Sequence, residues 1–213
     1  MKYGILAAII LIFTHQSQAQ VVPIVGPTVT FGVHGNLTIA DLPGPMVSGA
    51  TPLAEVYGFG YGGGVHLDIT FVSLSLRVSG DFTTFSPDEE NYRNALAALG
   101  AGTVATDFSI EGGRVNIISA NVNGKLPVLP LPVVSPYVTG GVGLARISAD
   151  AAEISFLGMM TSSYPGFGSE TKTSVNIGVG VDFASLFVEA KYMWIFTDGE
   201  TSSYVPVSIG ISL

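Results

Sequence analysis

The sequence predicts an all-β protein: an eight-stranded antiparallel transmembrane β-barrel with long extracellular loops, one of them holding a short helix. Three observations carry this. Apolar residues recur at every second position in eight separate segments. The connections between those segments alternate between long and short. The face opposite the apolar one is built from Thr, Ser, Gly and Asn, with few charges. Composition agrees: of 213 residues 47% are hydrophobic and only 11% charged, against roughly 25% charged in soluble domains. The 27 Gly and 12 Pro argue against a mainly helical chain.

The first segment, MKYGILAAIILIFTHQSQAQ, has Lys2 ahead of an apolar run from Gly4 to Phe13, then Ser17-Gln18-Ala19 as a small-residue cleavage site. Residues 1–19 are therefore expected to be a signal peptide and residues 20–213 the barrel domain. The first strand sets Val29, Phe31, Val33, Leu37 and Ile39 against Thr28, Thr30, His34, Asn36 and Thr38. The second carries Tyr57, Phe59, Tyr61, Val65, Leu67 and Ile69. It reverses at 70–71 into a third with Val72, Leu74, Leu76, Val78 and Phe82. A fourth runs from near Phe108 to Leu126, with a phase change at Gly112 and Gly113 that predicts a bulge. The fifth, SPYVTGGVGLARI, spans Ser135 to Ile147 and has Val138, Val142 and Leu144 on one face. The sixth, Val175 to Phe183, turns at Ala184 and Ser185 into a seventh, Leu186 to Phe196. The eighth runs through Val205, Val207, Ile209 and Ile211 to Leu213.

Gaps 40–56, 83–107, 148–174 and 197–204 then lie on one rim, and the shorter gaps 70–71, 127–137 and 184–185 on the other with both chain ends. This is the layout of an outer-membrane barrel with periplasmic termini. A soluble lipocalin-like, lipid-binding barrel also has about eight strands, but its outer face should carry frequent Lys and Glu. Here the non-apolar face suits a crowded lumen. Aromatic girdles are expected from Tyr57, Phe59, Tyr61, Phe82, Trp194 and Phe196 at the loop rim, and from Phe71, Tyr137 and Phe183 at the turn rim.

The segments SPYVTGGVGLARI, LFVEAKYMWIF and SSYVPVSIGISL resemble bacterial outer-membrane β-barrel domains of the small OmpA/OmpX type, sometimes called porin-family proteins. The resemblance covers nearly the whole chain after the signal peptide and rests on pattern more than on fixed letters. It implies eight antiparallel strands, insertion by the outer-membrane assembly machinery of a Gram-negative-type bacterium, and a terminal aromatic residue, usually Phe. This chain departs from it by ending in Leu213.

Several residues invite chemical readings. Glu189 and Lys191, two apart on one strand, point into the lumen together, and with Arg77 and Asp81 are expected to form an ion-pair network plugging it. His34, His66 and Asp68 share the lumenal face of the first two strands. They are read as polar filling, with metal binding as the weaker reading because no third ligand of convincing spacing completes a set. Gly58 to Gly63 formally matches a dinucleotide-binding glycine pattern, but it lies inside a strand and opens no helix. Ser86-Pro87-Asp88-Glu89 reads as a capping box opening a helix of about three turns with Tyr92, Leu96 and Leu99 on its apolar stripe. Tyr92 and Leu96, together with Phe156, Met159 and Met160 of the third long loop, are the candidate extracellular binding residues.

The expected function is a non-enzymatic outer-membrane barrel with a structural or surface role and loops available for binding. A narrow porin-like channel or carrier for small solutes is the alternative, and the soluble lipid-binding barrel a third. No nucleophile and base stand at catalytic spacing, no Cys is present, and no metal or cofactor is expected. A net charge of −8 disfavours nucleic acid. The expected partners are outer-membrane lipid and lipopolysaccharide, the assembly machinery and an unidentified extracellular molecule; the acidic loops are read first as plainly solubilising, with cation bridging to lipopolysaccharide phosphates as the weaker reading.

Overall fold

The computed structural model describes residues 26–41, 57–72, 74–91, 93, 108–129, 133–156, 159–196 and 201–213. Eight strands close a barrel: β1 (Thr28–Asp41), β2 (Phe59–Thr70), β3 (Ser75–Phe85), β5 (Val115–Pro127), β6 (Val134–Ala149), β9 (Phe167–Phe183), β10 (Leu186–Phe196) and β11 (Thr201–Ser212). All neighbours are antiparallel, and β11 pairs back onto β1. Three further strands, β4 (Phe108–Gly112), β7 (Ala152–Phe156) and β8 (Met159–Tyr164), make a separate sheet in the order β4-β7-β8. Closure leaves no open edge in the barrel wall, as a backbone in hydrocarbon requires. The final residue takes part: Leu213 N donates to Phe31 O at 2.7 Å and Phe31 N to Leu213 O at 3.1 Å, so the chain closes with Leu where the family pattern has an aromatic.

The two faces of the wall settle which side meets lipid. Phe31, Leu37, Ile39, Phe59, Tyr61, Ile118, Val142, Ile177, Val179 and Ile209 are exposed on the outside, while His66, Arg77, Asn121, Asn123, Ser174, Asn176, Glu189 and Lys191 are buried within. A soluble barrel would invert this, so the lipocalin-like reading is overturned.

The elements depart from expectation at four places. The β2–β3 connection is four residues, 71–74, closed by Phe71 N donating to Leu74 O at 2.8 Å, where a two-residue turn is expected. The phase change at Gly112 and Gly113 is no bulge. Both have positive φ, 79° and 69°, and there the chain leaves the barrel sheet so that β4 pairs with β7. Left-handed backbone suits Gly, and a Cβ on Gly112 would meet Ala151 O. Strand β9 starts at Phe167, well before the apolar alternation begins at Val175. Its first residues Gly168, Ser169, Glu170 and Thr171 are exposed and show no hydrophobic period to read. The helix in the second long loop begins at Glu89 and is capped by Asp88, not Ser86: Asp88 Oδ1 accepts from Glu90 N at 2.9 Å and Asn91 N at 3.0 Å. Tyr92 and Leu96 lie outside the described residues, as does the expected signal peptide.

Two girdle assignments also change. Tyr137 is 2% exposed and faces the lumen, one position out of phase with outward Val138. Tyr57 is half-buried at the loop rim, where its hydroxyl donates to Gly113 O at 2.7 Å.

Candidate functional site

The lumen is the site that the sequence singles out. Period two sends Ser75, Arg77, Ser79 and Asp81 of β3 inward together, likewise Ser119, Asn121, Asn123 and Lys125 of β5, and Phe187, Glu189 and Lys191 of β10. Arg77 sits at the centre. Its Nε and Nη2 donate to the two oxygens of Asp68 at 2.7 and 2.8 Å, a bidentate fork. Its Nη1 lies 3.6 Å from Glu189 Oε2, and its guanidinium covers the Phe187 ring at 4.7 Å. Glu189 also takes Lys191 Nζ at 2.9 Å and the Tyr137 hydroxyl at 3.1 Å. Nearer the turn rim, Lys125 Nζ meets Asp182 at 2.8 Å and rests 4.0 Å above the Tyr137 ring.

Asp81 stands apart from the Arg77 cluster to which the sequence reading assigns it. Its carboxylate is held by His34 Nε2 at 2.8 Å, by Ser79 Oγ at 2.9 Å and by Asn121 Nδ2 at 3.2 Å. The expected foursome is thus divided: Arg77, Glu189 and Lys191 are joined, Asp68 takes the place expected of Asp81, and Asp81 pairs with a histidine. His66 bonds Ser212 Oγ at 3.0 Å and packs edge-on against Phe187 at 5.2 Å between ring centres. His34 and His66 rings are 5.8 Å apart, but Asp68 gives both oxygens to Arg77. Among the described residues no three His, Cys, Asp or Glu side chains group as metal ligands. Asp68 is thus committed to Arg77, while each histidine is engaged through Nε2 and its Nδ1 has no hydrogen-bond partner.

Glycines make the room. A Cβ at Gly180 would strike the Tyr137 ring, at Gly178 the Lys191 stem 2.7 Å away, at Gly32 the His66 ring and at Gly64 the Asp81 carboxylate 2.8 Å away. Each long inward side chain here faces a bare backbone on a neighbouring strand. Above the charged layer, towards the loops, the lumen turns apolar: Phe85, Val115, Ile117, Ala145, Met193, Ile195 and Tyr204 pack into one buried cluster. The space between Asn36, Asp81, Asn121, Lys191, Met193 and Ser208 is about 10 Å³, near the minimum for one water.

Phe187, Tyr137, Lys125, Asp182 and the apolar cap are absent from the sequence-derived site. Phe187 shares the parity of Glu189, so the alternation contains that signal. Of the loop candidates, Phe156, Met159 and Met160 fall in the β7–β8 hairpin, where Phe156 is in register with Met159 and Ser155 with Met160.

No protein-family model matches the chain, and no curated protein does. Solved structures do match. The Neisserial surface protein A, NspA, superposes with a TM-score of 0.51 at 16% identity over 89% of this chain and 99% of that one. The chain has the fold of the small bacterial outer-membrane barrels. The attachment invasion locus protein Ail of Yersinia pestis gives a TM-score of 0.46 at 14% identity, covering 89% of this chain and all of that one. The N-terminal β-barrel domain of Pseudomonas aeruginosa OprF gives 0.45 at 13%, covering 88% and 99%.

Proposed function

We propose that the protein is a non-enzymatic barrel of the bacterial outer membrane, with a sealed lumen and a structural or display role. Its working surface is the outer wall together with the extracellular loops, including the β4-β7-β8 sheet. The observation that carries this reading is the filling of the lumen: a paired, buried charge network is followed in series by a buried apolar cluster. An open pore needs a continuous wet path, and hydrophobic constrictions block ions by dewetting. The lumen of an eight-stranded barrel is just wide enough for side chains to fill it.

The rival is a narrow channel for small solutes. Planar-bilayer recordings of the purified protein separate the two. Steady silence is expected both from the native protein and from Lys191→Ala, because the cap around Ile117 and Ile195 stays in place when the network is cut. Conductance steps in the native protein that Lys191→Ala enlarges would establish the channel instead.

A further inference from the structure

Where the charged network gives way to the apolar cluster, one row of the wall runs Arg77, Asn123, Gly141, Asn176 and Met193 across β3, β5, β6, β9 and β10. Asn123 is fully buried and Asn176 is 3% exposed. Yet the carboxamide oxygen and nitrogen of each have no hydrogen-bond partner among the described residues, and the two side chains do not bond each other. Turning either amide over only exchanges one unpaired atom for another, so the assignment of O and N does not matter. Gly141 lets the pair face each other. A Cβ there would meet Asn123 Oδ1, so that side chain leans over bare backbone towards β9. One layer nearer the loops the same spacing recurs as Asn121, Gly143 and Ser174, and it closes directly, Ser174 Oγ donating to Asn121 Oδ1 at 3.5 Å. That is the outer limit of a hydrogen bond, so two strands joined over a glycine are at the edge of direct reach.

We infer that Asn123 and Asn176 are a binding site for internal water, with one molecule bridging the two carboxamides over Gly141. The inference rests on the sealed lumen of the proposed function. Buried amides keep their hydrogen bonds in folded proteins, and they keep them to water where the protein offers none. The charges of the lumen point to a neutral ligand. Arg77 is committed to Asp68 and Glu189, Lys191 to Glu189, Lys125 to Asp182 and Asp81 to His34. The row and its neighbours lie wholly within described strands, so this matching covers the surroundings of the site. Size then selects water: the adjoining lumenal space, bordered by Asn121, Lys191 and Met193, is about 10 Å³, room for a single molecule. A carboxamide carries an acceptor oxygen and two N–H donors, so the pair gives a water both acceptors for its protons and donors for its oxygen. Water fixed here completes the polar layer of the lumen without opening a path through it.

The test is magnetisation transfer from water to the asparagine side-chain amides, followed by NMR on the isotope-labelled protein in phosphatidylcholine nanodiscs. A lodged water transfers by dipolar contact, which gives opposite signs in laboratory-frame and rotating-frame experiments. Chemical exchange with passing solvent gives the same sign in both. Opposite-sign cross-peaks are expected at Nδ2 of Asn123 and of Asn176. Asn176→Leu, of similar volume but without the polar end, should abolish the Asn123 cross-peak while keeping the heat-modifiable migration of a folded barrel, and Asn123→Leu should do the same to Asn176. If neither variant folds, the native cross-peaks decide alone. Absence of transfer at either residue of the native protein, or an Asn123 cross-peak that survives Asn176→Leu, overturns the bridge and leaves the sealed lumen intact. Same-sign transfer at either residue overturns the bridge and the seal together.

Discussion

At the scale of single residues, the lumen shows how a low-charge chain tolerates ions in a membrane. Asp68 and Glu189 share Arg77, Glu189 also holds Lys191, and Asp182 holds Lys125, while Asp81 relies on His34. Buried charges are costly when single and tolerable when paired and hydrogen-bonded. Glu189→Gln removes the charge on which Lys191 and Arg77 both converge, so it should destabilise the barrel by about 3–5 kcal/mol. Glu170→Gln, which cuts the exposed pair with Lys172 (3.2 Å), should cost less than about 1 kcal/mol. Urea titrations in vesicles, read by the shift between folded and unfolded gel bands, give both values. A cost for Glu170→Gln equal to that for Glu189→Gln would contradict the network. Alternation shows which residues face inward, but it does not show their height along the axis, and height decides who pairs with whom. A two-residue turn at 70–71 would set Arg77 opposite Gly64. The actual four-residue connection sets it opposite Asp68, whereas the sequence groups Arg77 with Asp81 only because both face inward on one strand, four residues apart.

At the scale of elements, the strands were legible wherever one side meets lipid, and their ends were not. Inside the membrane a strand must alternate, so β10 can be read letter by letter and β11 from Val205 on, whereas its first residues, Thr201 to Tyr204, fall within the expected gap 197–204. Beyond the rim both sides are wet and the pattern lapses, which hides the start of β9 and the exit of β4 from the barrel. Tyr137 shows the converse: an aromatic near a rim suggests a girdle, yet its phase within β6 turns it into the lumen. Turns follow backbone chemistry. Ala184 holds φ 54° in the β9–β10 turn, a left-handed conformation that costs a side-chain-bearing residue roughly 1 kcal/mol. Ala184→Gly should therefore raise stability by up to about that amount in the same urea titration. At the loop rim, Tyr57 ties the start of β2 to the β4–β5 break. Burial pushes its phenol up to about 12 from the usual 10. A phenol whose folded value is raised stabilises the fold fully below pH 10 and loses that contribution as pH rises through 12. The difference in 295 nm absorbance between native and Tyr57→Phe protein should accordingly titrate near pH 12. Titration near 10 would mean that the tie is not formed.

At the scale of the whole molecule, the barrel is organised as three zones along its axis: a charged lower lumen, an apolar cap above it, and an extracellular sheet extending from β5, β6 and β9 into β4, β7 and β8. Enclosure in the lumen, solvent outside the rim and lipid around the wall each impose a different residue alphabet on one continuous set of strands. The wall and its phase are the part that composition and periodicity reveal; the cap required side-chain packing to be seen, because Ile117, Met193 and Ile195 read as ordinary apolar letters on the polar face. The orientation of the two faces is the premise on which the sealed lumen and the display role both stand. The chain contains no Cys, so single-cysteine variants along β5 can carry a nitroxide label without a background. Power-saturation measurements in vesicles should find high oxygen accessibility at Ile118, Ala120 and Val122, and little access for either oxygen or a water-soluble nickel chelate at Ser119, Asn121 and Asn123. Contact with the nickel chelate at Ile118, Ala120 and Val122, or an absence of two-residue alternation, would contradict the account.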